Sequence, residues 1–178
     1  VYDPPAGQLW TANNRVVGGE ALALIGDGAP DRGARAQQIR DGLTRLPRAT
    51  ERDMLAIQLD DRAVFLAPLR DALLDLLDAD ALAGQPARVA YRGHLEDWGA
   101  RAAATSVGYR LVRATNDELE RRLFEALSPE ARQRYAEERF RAPRQFHLPI
   151  AALIERRGWR EPAPDHTAWR ALMLETVD

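Results

Sequence analysis

Few residues in this chain are suited to chemistry, and the first of them stand together near its start. Asn13 and Asn14 follow a short extended stretch and precede a loop. An asparagine amide N–H can donate to the oxygen that turns negative when an amide carbonyl is attacked, a place where one donor is worth orders of magnitude in rate. Asparagine at a strand end also caps turns and tolerates left-handed backbone, so both readings are open for Asn13. Arg35 is the second candidate. Projected on a helical wheel over residues 31–46, it falls within about 40° of Ile39 and about 20° of Leu46, on the apolar stripe. An arginine there needs a carboxylate, a carbonyl or a ligand to offset its desolvation, and a structural pairing with a neighbouring loop meets that need as well as a functional one. The same projection sets Gln58 and Asp61, with Asp60 beside them, inside the stripe of Met54, Ile57 and Phe65. Polar groups there imply a buried hydrogen-bond network. It either braces a helix against a loop or positions an active-site loop, with an Arg35 to Asp61 pair as one member.

Much other chemistry is excluded or weakly signalled. All 25 basic residues are arginine, so no lysine nucleophile, Schiff base or phosphate-loop lysine exists in the 178 residues. The absence of cysteine removes disulfides and thiolate metal sites. His94, His147 and His166 are far apart, and none belongs to a metalloprotease-type pair. Gly26-Asp27-Gly28 lacks the spacing of a phosphate-binding loop. Asp71, Asp75, Asp78 and Asp80 read as a solvated helix face, Arg121-Arg122 and Arg156-Arg157 as solvated pairs with acidic neighbours, and Trp98, Trp159 and Trp169 as core plugs. A net charge of −2 gives no bulk attraction to nucleic acid or anionic lipid. No run approaches the roughly 18 apolar residues of a membrane span, and no basic patch leads into an apolar stretch at the start.

The elements that must carry these residues are mostly helical. With 46% hydrophobic and 29% charged residues the composition is that of a folded globular chain. Residues 1–30 are rich in Gly and Pro and hold a strand candidate at Gln8–Ala12, so an extended segment carrying Asn13 is expected there. From Asp31 the pattern turns helical: Ala36, Ile39, Leu43 and Leu46 recur at helical spacing until Pro47. Thr50 has the chemistry of an N-cap, with Glu51 and Asp53 in the first turn. Leu66, Leu69, Leu73, Leu76 and Leu77 form the densest stripe, near Pro68, which kinks or restarts a helix. A short helix ends near Trp98-Gly99, a long one runs from about Ser106 to Leu127, and Ser128-Pro129-Glu130 reads as a further helix start. Helical pieces at about Pro149–Arg157 and Thr167–Thr176 flank a Pro-rich connector at Glu161–Asp165. The expected architecture is mainly α: one helical domain over 31–178 behind the extended segment 1–30. The chain opens on Val1 rather than Met and runs straight into turn chemistry, so we expect a piece of something longer.

Three motifs occur in a fixed order. They are Gly7-x-Leu-Trp-Thr-Ala-Asn13-Asn14-Arg15, then Gly33-Ala-Arg35-Ala-x-x-Ile39, then Asp53-Met-Leu-Ala-Ile-Gln58-Leu-Asp60-Asp61 followed by Leu-Ala-Pro68. This order resembles the penicillin acylase family, which contains penicillin amidases, acyl-homoserine-lactone acylases and related N-terminal nucleophile hydrolases. The resemblance is strongest over about residues 1–80 and thins to Leu95-x-x-Trp98-Gly99 and Ser106, where the acid, Asp97, precedes the Trp.

The resemblance implies a helical piece of the large chain of an αββα amide hydrolase. Its precursor cleaves itself to expose a serine that attacks the amide carbonyl with its own α-amino group as base. Asn13 matches the family asparagine that donates to the oxyanion, and Arg35 the arginine that orients it. The nucleophile, the small chain and the catalytic part of the large chain would be partners outside these residues, and the substrate a small N-acyl amide. The resemblance also implies a structural calcium in the full enzyme, with Asp27 only a loose ligand candidate and no metal assigned here, and a periplasmic or secreted bacterial enzyme, which the lack of cysteine fits. The competing expectation is an independent helical module that binds a protein partner, in which Asn13 and Arg35 are ordinary surface or capping residues.

Overall fold

The computed structural model describes residues 4–5, 7–26, 28, 30–127, 146–156 and 166–178. The architecture is mainly α. Among the described residues the only β pairing is an isolated antiparallel bridge between Arg62 and Arg101, so the strand expected at Gln8–Ala12 is absent. An extended segment becomes a strand only with a ladder partner, and Gln8 instead donates its side-chain Nε2 to the Leu43 carbonyl at 3.1 Å. The helix start expected at Ser128, the connector at Glu161–Asp165, Arg157, Trp159 and Asp27 lie outside the described residues.

The chain packs as two units, Val1–Asp61 and Arg62–Asp178. The division of packing falls after Asp61. The physical reason is visible in the first unit, which holds α1 (Gly19–Ile25), α2 (Ala34–Leu43) and α3 (Glu51–Gln58): hydrogen bonds tie the N-terminal segment to α2 and to the residues just before it. α2 and α3 meet where Gly42 faces Ile57; a Cβ at Gly42 would lie 2.9 Å from the Ile57 side chain. Thr50 forms the expected cap in a reciprocal box, its Oγ1 accepting from the Asp53 N–H while Asp53 accepts from the Thr50 N–H. Ala36 is the one described residue of this unit that is fully buried.

The second unit holds the core. A single 3₁₀ turn at Val64–Leu66 leads into α4 (Ala67–Leu76), with Pro68 in the first helical turn, where its missing N–H costs nothing. α5 (Ala79–Leu82), α6 (Pro86–Glu96), α7 (Val107–Leu127), α8 (His147–Arg156) and α9 (His166–Val177) follow. The stripe read from the sequence is the one that is buried: Leu66, Leu69, Leu73, Leu76 and Leu77 pack with Leu95, Trp98, Val112, Leu119, Leu123, Ile150, Trp169 and Met173. α6 and α7 approach closely because Gly108 has no side chain; a Cβ there would collide with the His94 carbonyl oxygen and lie 2.8 Å from Trp98 Cβ. Trp98 plugs this junction, its Nε1 donating to the Arg101 carbonyl at 2.9 Å. The orphan carbonyls at the end of α4 are met by arginines from other helices. Arg92 on α6 donates to Leu74 and Leu77, and Arg170 on α9 to Leu76.

Candidate functional site

The candidate site is a turn in the first unit, Ala12-Asn13-Asn14, together with the start of α2. Asn13 has φ 59°, in the left-handed region where a non-glycine residue costs about 1–2 kcal/mol and where asparagine is the commonest exception to glycine. Four hydrogen bonds hold the turn in that shape. The Asp31 N–H donates to the Asn13 carbonyl at 2.8 Å. Arg35 Nη2 donates to the Ala12 carbonyl at 3.2 Å. The Ala12 N–H donates to Asn14 Oδ1 at 3.0 Å, and Asn14 Nδ2 donates to the Arg15 carbonyl at 2.9 Å. The Asn13 side chain is exposed, and among the described residues its amide has no hydrogen-bond partner. The turn therefore presents an amide outward from a backbone fixed on both sides.

Arg35 departs from its expected place. Its side chain is 62% exposed and does not point into a core. α2 begins at Ala34 and ends at Leu43, so Leu46, one anchor of the projected stripe, is not on the helix. Arg35 sits in the first turn, where a side chain leans back toward the helix N-terminus. There it meets Asp31 Oδ2 at 3.1 Å and the Ala12 carbonyl. The exposed ion pair is worth about 0.2–1 kcal/mol, so its consequence is orientation of the turn more than stability. An Arg35 to Asp61 pair does not form, because the guanidinium is committed to Asp31 and Ala12.

The buried network expected around Gln58 and Asp61 is also different. α3 ends at Gln58, which is exposed, and the wheel does not continue to Asp61, which is half-buried beyond the helix. Met54 is 40% exposed, so the stripe that was to bury these groups is itself partly open to water. Gln38 on α2 donates its Nε2 to Asp60 Oδ2 at 3.2 Å, linking α2 to the residues that follow α3.

The structure adds Asp31 to the candidate site and gives Asn14 a role distinct from that of Asn13. Asp31 stands four residues before Arg35, a spacing that puts opposite charges in reach across one turn and was a usable signal. Asn14 had no separate signal, because its role depends on the fold of the turn around Asn13. For the calcium that the resemblance implies, no three carboxylate or imidazole side chains converge among the described residues. The described residues by themselves supply no such ligand set.

A family model for penicillin amidase matches residues 1–174, nearly the whole chain, and the chain belongs to that family. It thus falls among amide hydrolases. Neither a curated protein nor a solved structure gives a significant match. No helix among the described residues is long and apolar enough to cross a membrane.

Proposed function

We propose that residues 1–178 are the mainly helical part of an N-terminal nucleophile acylase that hydrolyses a linear amide, of the penicillin or N-acyl-homoserine-lactone type. The observation that carries this reading is the penicillin amidase match over residues 1–174. The serine nucleophile lies outside these residues. The mechanism needs a free α-amino group on the nucleophile itself, and the two serines of the chain, Ser106 and Ser128, are internal. Ser106 moreover serves α7, its Oγ accepting the Tyr109 N–H at 3.1 Å. The small chain and the catalytic part of the large chain are therefore the partners, and the enzyme acts in the periplasm or outside the cell.

In this reading the serine Oγ attacks the amide carbonyl carbon and its proton passes to the α-amino group. The carbonyl oxygen becomes an oxyanion, toward which the exposed Asn13 amide donates. Collapse breaks the C–N bond, the amine leaves with that proton, and water then hydrolyses the acyl-serine ester. Arg35 keeps the Ala12 carbonyl turned toward α2 and so steadies the turn.

Two measurements test this. The purified 178-residue chain should release no amine from a chromogenic acyl-amide; measurable release overturns the external nucleophile. In the enzyme expressed from its complete reading frame, Asn13→Ala should lower kcat about 10²–10³-fold with self-cleavage intact. An unchanged kcat removes Asn13 from the oxyanion.

A further inference from the structure

We propose that Asn14 is a positioning residue for the oxyanion donor, holding Asn13 in the left-handed turn that aims its amide; the inference rests on the acylase reading above. Asn14 Oδ1 accepts the N–H of Ala12, two residues back, so the hydrogen bond closes a ring around Asn13. The other end of the Asn14 amide is tied to the Arg15 carbonyl, which fixes the orientation of that acceptor. Ala12 is thereby held at both ends, its N–H by Asn14 and its carbonyl by Arg35, while the Asn13 carbonyl is held by the Asp31 N–H. Returning Asn13 from φ 59° to an ordinary negative φ would turn the Ala12 peptide away and break the Asn14 bond. It would also swing the Asn13 Cα–Cβ vector, and with it the amide, to another side of the chain. Of the three restraints, the one from Asn14 spans Asn13 directly. Removing it lets the residue relax to the backbone region that L side chains prefer.

Asn14 touches no reacting atom in this scheme, so its effect must pass through Asn13. In the complete enzyme, Asn14→Ala should lower kcat about 10- to 100-fold, the loss expected when a catalytic group is misplaced without being removed, while KM changes less than about threefold. Asn14→Ser retains a shorter acceptor and should fall between wild type and Asn14→Ala. The decisive comparison is the Asn13→Ala/Asn14→Ala double variant, which should be no slower than Asn13→Ala alone, because a residue acting through Asn13 has nothing left to position. If Asn14→Ala does not mature, the same cycle is run with Asn14→Ser. A kcat for the Asn14 variants equal to wild type, beside a large loss in Asn13→Ala, overturns the positioning role and leaves the acylase reading standing. Multiplying losses in the double variant overturn it as well, since Asn14 would then act independently. An unchanged kcat in Asn13→Ala removes the oxyanion reading and this inference together.

Discussion

Single atoms decide the outcome at two glycines. At Gly42 an added Cβ comes within 2.9 Å of Ile57 Cγ1 and 3.1 Å of its Cδ1, side-chain atoms that can shift at a cost of about 0.5–1.5 kcal/mol. Alanine is also the better helix former by about 1 kcal/mol. At Gly108 the obstruction is the His94 backbone carbonyl and the Cα and Cβ of Trp98, none of which can yield without moving α6. We expect Gly42→Ala to leave the denaturant midpoint within about 1 kcal/mol of wild type and Gly108→Ala to cost at least about 2 kcal/mol. Equal effects in chemical denaturation would mean that α6 and α7 do not approach as described. The sequence marks both positions only as a glycine within a helical pattern. What separates them is the neighbour each would strike, a matter of tertiary contact alone. Asn13 and Arg35 differ in the same way. Their residue types and order were legible, but the exposure of Arg35 followed from where α2 starts and stops, which propensity fixes only to within a few residues.

Helix ends are served by side chains that sequence spacing reveals in some cases and hides in others. The Thr50–Asp53 box is local and was readable from four consecutive residues. The end of α4 is closed from afar, Arg92 donating to the Leu74 and Leu77 carbonyls from eighteen and fifteen residues away. A guanidinium can serve two carbonyls at once, which an apolar chain of similar length cannot. Replacing Arg92 by Met keeps most of the packing and leaves those carbonyls short of donors, so Arg92→Met should lower unfolding free energy by about 1–3 kcal/mol. A variant as stable as wild type by thermal and urea unfolding would show that water satisfies the α4 terminus equally well.

For the molecule as a whole, carboxylates tied to neighbours in the folded state couple stability to acid. Paired hydrogen bonds from Arg121, reinforced by Arg122, hold the Glu118 carboxyl down from 4.5 to about 2. Arg88 lowers Asp178, the Thr50 hydroxyl lowers Asp53, and the Ala81 N–H with Arg170 lowers Asp78. Groups whose folded pKa lies below the unfolded one contribute stability above the unfolded value and lose it as pH falls through the folded value. Unfolding midpoints should therefore hold from neutral pH to about 4.5 and decline toward about 2, and Glu118→Gln should shallow that decline. A flat profile across that window would show that these pairs persist in the unfolded chain. The sequence by itself determined the helical class, the leucine stripe that became the core, the Thr50 cap and the order of motifs that marks the penicillin amidase family. These are properties of near neighbours and of periodicity. Tertiary structure decided the rest: that Gln8–Ala12 pairs with no strand, that packing divides after Asp61, that Arg35 turns outward to Asp31 and Ala12, and that Asn14 closes the turn around Asn13. Each of these depends on where the chain turns and where its helices start and stop, which residue type and periodicity alone fix only to within a few residues.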